Sequence, residues 1–481
     1  MAQYEVVIGL EIHAELLTKT KIFCACTTAF GGHANSHCCP VCLGLPGALP
    51  VLNEKAVEYG IKAGLALDCR IPERCKFDRK NYFYPDLPKA YQISQYDEPL
   101  CLGGSVTCET ETGLQTIGVT RVHLEEEAGK SVHSGDNILG SEYSSMDYNR
   151  AGIPLIEIVT EPDLRSPQDA KAFLEHLKRV LQYIEVSDCK MEEGSLRCDA
   201  NVSLRPLGVQ ELGTKVEIKN LNSFRSVERA LQHEVTRQSQ LYEAKQQVEQ
   251  ETRAWDEARG VTVSMRSKEE SHDYRYFPEP DIPPVHINSL WVEDLRSGLP
   301  ELPLSRKERL QRQYGLTTYE AEFLVSQRSW SDFFEAVVQE FDQEKMVVNW
   351  LMGDVSRVLN AREETLPQSQ LDVSGLVELL RLIDTGTISG SQAKAVLEAV
   401  CATGQPPADV VQTLGMQQIS DEDQLAAMVD AVIAQYPGEA QRCREGDAKL
   451  IGFFVGQIMK GSQGKANPKM VNELLRKKLK L

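Results

Sequence analysis

The sequence lacks a long hydrophobic run. No stretch of its 481 residues approaches the roughly 20 apolar residues that a helix needs to cross a bilayer. It also lacks a secretory signal at its start, because residues 1–5 (MAQYE) contain no basic region followed by an apolar core. We therefore expect a cytoplasmic protein, or one inside an organelle after processing, with roughly two to four domains.

Positive charge is scarce in the chain. Its 52 Lys and Arg residues face 70 Asp and Glu residues, which gives a formal net charge of −18. Binding to nucleic acid depends on neutralising phosphates with Lys and Arg. This balance excludes RNA binding through the whole surface, so any RNA contact must use local basic patches or shape.

A phosphate-binding P-loop is also absent. The run Gly129-Lys130-Ser131 resembles the end of one, but Leu124 stands where the motif requires a glycine. A second near match at 461–466 has no Ser or Thr after its lysine. If the protein uses ATP, it binds the phosphates in another way.

Disulfides are not expected, although the chain has 13 cysteines. Most are scattered singly, which is typical of reduced, buried thiols in an intracellular protein. The exception is a C-x-C pair, Cys24 and Cys26, followed by a C-x-x-C pair, Cys39 and Cys42. Four thiolates at this spacing favour a tetrahedral, structural Zn²⁺ with no open position.

The spacing of the cysteine pairs does not fix the ligands completely. Cys38 is a surplus thiol, and His33 and His37 are alternative ligands in the same loop. The other interpretation is a group of cysteines that binds no metal.

Composition changes near residue 293. Before it the chain is rich in Gly, Pro, Tyr and β-branched residues, and after it the apolar residues follow helical spacing. Prolines at 278–284 and a break at 404–407 interrupt both patterns. We predict an α+β protein with an N-terminal domain on a mainly antiparallel sheet, followed by two all-α domains. The predicted domains span residues 1–293, 294–405 and 406–481. The cysteine loop, residues 24–42, is predicted to be an insertion in the first of them.

The segment 6–16 alternates between apolar and polar residues, as a strand with two different faces does. Its polar face carries Gly9, Glu11, His13 and Glu15. The segments 196–205 and 214–220 alternate in the same way, which predicts a sheet packed on one side and open on the other. Gly9 removes bulk from the open face, where a ligand could approach the backbone.

Carboxylates cluster beside these strands at 125–127 and 192–193. If they converge with Glu11 and His13, they form an oxygen-rich site with one imidazole. Mg²⁺ prefers such sites and bridges there to nucleotide phosphates. The alternative is a solvated charged face. Alternation points Glu125 and Glu126 to opposite faces, and the sequence leaves open which of them reaches the site.

The segment 76–95 interleaves basic residues with aromatic residues and prolines. Such a loop suits an adenine ring, the stacked 3′ end of a single-stranded RNA, or a partner surface. The alternative is a rigid structural loop.

Longer runs at 7–13, 77–95, 146–157, 190–199, 273–280 and 456–460 resemble the B subunit of the heterotrimeric tRNA-dependent amidotransferase. They occur in the same order over essentially the whole chain, so the resemblance is more specific than any short motif. The cysteine pairs resemble the zinc-containing branch of that family.

The resemblance implies an ATP-dependent ligase that forms a C–N bond. ATP would phosphorylate the side-chain carboxylate of misacylated Glu-tRNA(Gln) or Asp-tRNA(Asn). Ammonia, released from glutamine by the amidase or A subunit, would then displace the phosphate, and a small C subunit would complete the heterotrimer. No run resembles the Ser-rich, Lys-containing glutaminase signature, so we expect the partner to supply the ammonia. Which tRNA is the substrate stays open.

The resemblance also implies roles for individual residues. The expected catalytic residues are Glu11, His13, Glu125, Glu126, Glu192 and Asp199. The expected metal ligands are Glu11, His13 and Glu126 for Mg²⁺, and Cys24, Cys26, Cys39 and Cys42 for Zn²⁺. The expected substrate or channel contacts are Lys80, Tyr82, Lys89 and Arg150.

The tail resembles the tRNA-binding part of the family. It carries basic residues at Lys460, Lys465, Lys469 and 476–480. The alternative for the terminal run is a solvated helix end, where cations favour the helix dipole.

Two other functions compete with catalysis of amidation. One is a non-catalytic RNA-binding protein whose partner performs all the chemistry. The other is a free-standing zinc-dependent hydrolase, which fits poorly because the cysteine site has no open position and the carboxylates expected around Glu11 are accompanied by a single histidine, His13.

Overall fold

The structure is a computed structural model that describes residues 4–134, 142–267, 274–416, 422–445, 447, 449–462 and 466–480. Asp273 and Lys465, which belong to the runs considered above, lie outside these residues. The chain forms two compact units, Met1–Leu304 and Ser305–Leu481. The predicted α+β class, a mainly antiparallel sheet followed by helices, is confirmed. In the described part of the chain, no helix is both long and apolar enough to cross a membrane.

In its described part, the N-terminal unit holds the strands and four helices. The strands are β1 (Tyr4–Glu15), β2 (Arg74–Cys75), β3 (Asp78–Asn81), β4 (Tyr91–Ser94), β5 (Cys101–Leu102), β6 (Ser105–Thr110), β7 (Gly113–Glu126), β8 (Lys130–His133), β9 (Ser144–Asp147), β10 (Pro154–Thr160), β11 (Leu196–Pro206), β12 (Val216–Leu221), β13 (Glu251–Asp256), β14 (Val261–Ser267), β15 (Phe277–Pro278) and β16 (Val285–His286). The helices are α1 (Glu54–Ala66), α2 (Pro167–Tyr183), α3 (Phe224–Glu243) and α4 (Ser289–Ser297).

Among the described residues, nine strands form one sheet in the order β14-β13-β12-β11-β1-β10-β7-β5, with β6 paired to β7. The pairing of β12 with β13 is parallel, and β1 lies between β10 and β11 in antiparallel pairing. One face of the sheet is covered, because α1 packs on β7 and α3 packs on β11. Ile8, Leu10 and Ile12 of β1 are buried in this core, so the alternation predicted for the first strand is confirmed and its polar residues occupy the other face.

Side-chain caps fix the starts of the covering helices. Ser166 accepts a hydrogen bond from the backbone N–H of Asp169, and Pro167 occupies the first turn of α2. Ser223 caps α3 in the same way through Ser226. These residues satisfy N–H groups that a helix start leaves unpaired, and they place both helices against the apolar side of the sheet.

The C-terminal unit is helical throughout its described part. Its helices are α5 (Pro303–Tyr314), α6 (Thr318–Leu324), α7 (Arg328–Glu340), α8 (Glu344–Trp350), α9 (Ser356–Arg362), α10 (Val373–Asp384), α11 (Gly390–Thr403), α12 (Pro407–Thr413), α13 (Glu422–Gln435), α14 (Pro437–Arg444), α15 (Leu450–Gly461) and α16 (Pro468–Leu479), with a π-helical turn at Leu351–Val355 and a 3₁₀ turn at Leu366–Gln368. Helices α13, α15 and α16 share a core of their own, whereas α12 packs on α10 and α11. The domain bounds given above stay predictions.

Candidate functional site

A row of charged side chains crosses the open face of the sheet. The register places His13 of β1 opposite Glu157 of β10, and Glu157 opposite His123 of β7. On the other side, His13 lies opposite Arg197 of β11. Directly opposed residues share a face of the sheet, so four residues distant in sequence meet here.

The carboxylates and imidazoles in this row are close enough to share a ligand. His13 Nε2 lies 3.3 Å from Glu125 Oε1 and 3.3 Å from Glu157 Oε2, and 3.9 Å from Glu11 Oε1. His123 Nε2 lies 3.4 Å from Glu157 Oε2. Two groups have donor atoms within 4.8 Å of one another, namely Glu11, His13 and Glu157, and His123, Glu125 and Glu157. We call these residues together the acidic cluster.

Burial and mutual charge set the protonation of the acidic cluster. Burial lowers the pKa of His13, but hydrogen bonds to Glu125 and Glu157 outweigh it and raise that pKa to about 10. Burial raises the pKa of Glu11, and repulsion from Glu157 adds to the increase. A cation in the cluster would relieve the repulsion that Glu11 meets from Glu157.

A lysine balances the cluster on one side. Burial lowers the pKa of Lys80, but attraction from Glu125, Tyr276 and Glu157 together outweighs it and the net pKa is raised. The Lys80 ammonium also lies 4.9 Å from the ring centre of Tyr274 and 5.8 Å from that of Tyr82. Lys80 and Tyr82 thus lie beside the acidic cluster.

The structure separates Glu126 from the acidic cluster, contrary to its expected role as a Mg²⁺ ligand with Glu11 and His13. Side chains alternate along β7, so Glu125 joins His13 and Glu126 points to the other face. There Glu126 is paired with Lys89 and accepts a hydrogen bond of 2.8 Å from the backbone N–H of Ile93.

Glu192 also fails to join the acidic cluster. It is exposed in the turn at 191–194, and its neighbour Glu193 pairs with Lys190 at 3.0 Å. Asp199 lies closer to the cluster because the register pairs it with Glu11. Its Oδ2 accepts a hydrogen bond of 2.6 Å from Lys219, so Asp199 flanks the cluster.

Arg150 belongs to a neighbouring charged group. Its Nη2 lies 3.0 Å from Glu127 Oε2 and its Nε 4.0 Å from Glu15 Oε1, and Arg197 also contacts Glu127. Burial raises the pKa of Glu15 to about 7, with repulsion from Glu127 as the next cause. Glu15 therefore sits in this second group, on the same strand face as His13.

The four predicted cysteines meet. The thiols of Cys24, Cys26, Cys39 and Cys42 lie within 4.8 Å of one another. The backbone N–H of Cys39 donates to Cys42 Sγ at 3.1 Å. A hydrogen bond from the Cys24 thiol is the main cause that lowers the pKa of Cys42 to about 4, so the group readily carries a thiolate.

The surplus ligands of the cysteine loop lie outside this group. Cys38 Sγ faces Asn149 Oδ1 at 4.0 Å, and His33 is exposed. The donor set that the structure brings together is therefore four thiols, which suits Zn²⁺.

A cavity of about 140 Å³ lies between the cysteine group and Glu126. Its lining includes Cys24 and Cys42 together with Lys89, Tyr91 and Glu126. The Lys89–Glu126 pair thus borders this cavity, on the face of β7 opposite to Glu125.

Two members of the acidic cluster were not assigned a role by the sequence, Glu157 and His123. Both are at most 5% exposed. The available signal was a single carboxylate, Glu157, inside the otherwise apolar strand β10. A charged side chain is rarely buried without a partner, so its position indicated a site.

Two family descriptions match the chain. "GatB/GatE catalytic domain" matches residues 6–293, and "GatB domain" matches residues 332–479. Three of the most similar curated relatives are named as B subunits of aspartyl/glutamyl-tRNA(Asn/Gln) amidotransferase. That of Carboxydothermus hydrogenoformans is 54% identical over 100% of this chain and 99% of its own length. That of Thermoanaerobacter pseudethanolicus is 53% identical over 99% of each chain. That of Moorella thermoacetica is 54% identical over 99% of this chain and 100% of its own length.

Proposed function

The chain belongs to the family of aspartyl/glutamyl-tRNA(Asn/Gln) amidotransferase B subunits, and from this membership we propose that its acidic cluster activates a carboxylate with ATP. The carboxylate is the side chain of glutamate on tRNA(Gln), of aspartate on tRNA(Asn), or of both. Phosphorylation gives an acyl phosphate, and ammonia then displaces phosphate to form the amide. In this account the chain is the part of the ligase in which the C–N bond forms.

The observation that carries the proposal is the sharing of Glu157 between two groups of oxygen and imidazole donors. Carboxylate oxygens with few imidazoles suit Mg²⁺ and Mn²⁺ better than softer metals. Glu11, His13, Glu125, Glu157 and His123 would hold such cations. When bound, they would neutralise the nucleotide phosphates and polarise the phosphoryl group during transfer.

The chain's own residues would orient the two reactants. Lys80, attracted by Glu125, would neutralise an incoming carboxylate or the departing phosphate. The rings of the tyrosines at 82 and 274 lie beside its ammonium and would restrict the motion of the lysine side chain. Because phosphoryl transfer needs little covalent chemistry from the protein, positioning and charge account for most of the catalysis.

The cysteine group and the cavity beside it complete the proposal. Cys24, Cys26, Cys39 and Cys42 would hold a structural Zn²⁺ that fixes the loop lining the cavity. The cavity at Lys89 and Glu126 would pass ammonia, made from glutamine by the partner amidase, toward the acidic cluster. The amidase and a small third protein would assemble with this chain as a heterotrimer in the cytoplasm.

His13→Ala should reduce ATP-dependent amidation by the assembled enzyme on the order of 100-fold or more. Among the described residues, His13 lies close to Glu11, Glu125 and Glu157 together, so its loss leaves three acids without their shared partner. Glutaminase activity and tRNA affinity should not change. His286→Ala, at an exposed histidine of the same unit, is the control. Normal amidation by His13→Ala would favour a non-catalytic, RNA-binding role for the chain.

The last helix supports a role in tRNA binding. Arg476 and Lys477 are exposed on α16, whereas Lys478 is paired with Asp430. Reversing both exposed charges, Arg476→Glu with Lys477→Glu, should raise the KM for tRNA about tenfold. The slope of the logarithm of the binding constant against the logarithm of the salt concentration should also become shallower, by about one for each phosphate that is no longer neutralised. The same change at the exposed Arg225 and Lys245 should have little effect. An unchanged tRNA affinity would leave the basic run as a solvated helix end.

A further inference from the structure

Lys21 is a buried cation beside the cysteine group. Its side chain is fully buried, although lysine is rarely buried without a charged partner. Among the residues that the structure describes, no carboxylate forms an ion pair with its ammonium, which donates to the backbone oxygens of His37 at 2.8 Å and Tyr148 at 3.3 Å. Because two neutral carbonyls do not balance a buried charge, this ammonium calls for an anionic neighbour.

The local backbone places Lys21 at the cysteine group. Its N–H donates to the backbone oxygen of Cys26 at 2.9 Å, so Lys21 belongs to the turn that presents the C-x-C pair. His37, whose carbonyl accepts from the ammonium, comes two residues before Cys39 of the C-x-x-C pair. The side chain of Lys21 therefore links the two parts of the loop that carry the four thiols.

The ammonium and the thiols also share a cavity. Lys21, Cys24 and Cys42 all line the cavity of about 140 Å³. A Cβ placed on Gly152 would lie 3.5 Å from Lys21 Cδ and 3.6 Å from Cys42 Cβ, so both side chains flank the same point of the backbone. Attraction from the ammonium lowers the pKa of Cys42, after the larger effect of a hydrogen bond from the Cys24 thiol. The charge of Lys21 thus reaches the sulfur atoms.

A metal centre made of four thiolates needs such a cation. Cysteine binds a metal as the thiolate, so four cysteines around one divalent cation carry a net charge of about −2. In a partly buried loop, this excess charge costs free energy unless N–H donors or a positive group offset it. The backbone N–H of Cys39 is one such donor to Cys42, and the ammonium of Lys21 supplies a full charge.

We propose that Lys21 is the counter-charge of the cysteine group and that it raises the affinity of this group for a divalent metal. The inference rests on the zinc site of the proposed function and adds to that site a positioning residue outside the ligands. The two carbonyls fix the ammonium in place, so its charge is held beside the sulfur atoms before the metal arrives. Zinc loading then depends on a lysine that does not contact the metal.

Lys21→Met and Lys21→Gln test the proposal in the full chain assembled with its partner proteins. Methionine keeps an unbranched side chain without the charge, and glutamine also keeps an N–H donor for the carbonyls. The dissociation constant for Zn²⁺ is measured by competition with a chelator of known affinity, and it should rise about 10–100-fold in both variants. Lys19→Met, at an exposed lysine two residues earlier, is the control and should bind Zn²⁺ as the wild type does.

A second substitution separates the effect of charge from that of packing. Cys26→His replaces a thiolate with a neutral imidazole ligand, so the loaded group carries less negative charge. The loss of affinity caused by Lys21→Gln should then be several-fold smaller in the Cys26→His background than in the wild type. A purely structural role of Lys21 would give the same loss in both backgrounds, because its hydrogen bonds to His37 and Tyr148 are the same in both.

Three results would overturn the counter-charge while leaving the zinc site in place. They are dissociation constants within about twofold of wild type in both Lys21 variants, a loss confined to Lys21→Met, and an equal loss with and without Cys26→His. Wild-type protein that binds no Zn²⁺ would overturn the zinc site and the counter-charge together. Amidation enters none of these measurements, so failure of the kinase assignment would leave their outcome unchanged.

Discussion

Glu157→Gln should lower the kcat of ATP-dependent amidation by on the order of 10²–10³-fold. Its carboxylate is shared by both donor groups, since Oε2 lies 3.3 Å from His13 Nε2 and 3.4 Å from His123 Nε2. Glutamine keeps the size of the side chain but removes the charge that both groups use. The rate is measured with ammonium salt as the nitrogen donor, so that the glutaminase does not limit it.

Glu192→Gln is the matched control for this prediction. Glu192 is also a carboxylate that the sequence indicates, but it is exposed in the turn at 191–194, so its variant should keep nearly full activity. Thermal unfolding of both variants separates a catalytic loss from a loss of fold. The assignment fails if Glu157→Gln retains its rate, or if Glu192→Gln loses as much.

Cys39→Ser should release nearly all of the zinc from a protein that otherwise carries about one equivalent. The Cys39 thiol is one of four within 4.8 Å, and its backbone N–H donates to Cys42 Sγ at 3.1 Å. Loss of the metal should free the loop and lower the melting temperature by roughly 5–10 °C. Because Cys24 and Cys42 line the cavity beside Lys89, glutamine-dependent amidation should fall more than the ammonium-dependent reaction.

Cys38→Ser provides the control in the same loop. Its thiol faces Asn149 at 4.0 Å and lies outside the group of four. This variant should keep its zinc, as measured by elemental analysis of the purified protein. Wild-type protein with only a trace of zinc would contradict a structural zinc site.

The parts of the site that the sequence predicted are those determined by local periodicity. Alternation along β1 separated Glu11 and His13 from the apolar residues because one face of that strand is covered and the other is open. The cysteine group was also predictable, since two short spacings bring the thiols together in one loop. Neither inference needed knowledge of which strands are neighbours.

The parts that were missed depend on strand order. Glu157 lies in a strand whose residues are almost all buried, so its alternation carries no signal, and only the register with His13 and His123 reveals its role. Glu125 and Glu126 were both expected at the site, with Glu126 as the Mg²⁺ ligand, because the sequence does not show which face of β7 points toward β1. Glu192 lies in a turn, and no local pattern determines the direction in which that turn points.

Gly9 shows what the structure adds to a correct local expectation. The sequence indicated that a glycine on the polar face leaves room for a ligand. The register then supplied the residue directly opposite it on the neighbouring strand, Asn201. Local sequence can thus mark an empty space, whereas the pairing of strands determines what lines it.

The fate of the substrate's carboxylate oxygens tests the central claim most directly. Misacylated tRNA with ¹⁸O in both oxygens of the side-chain carboxylate is converted by the assembled enzyme, with ATP and ammonium. If ATP phosphorylates that carboxylate, one oxygen forms the bond to phosphorus and leaves with it when ammonia attacks the carbon. The account predicts one ¹⁸O atom in the inorganic phosphate for each amide formed, and almost no labelled phosphate from His13→Ala. Amide formation with unlabelled phosphate would contradict it.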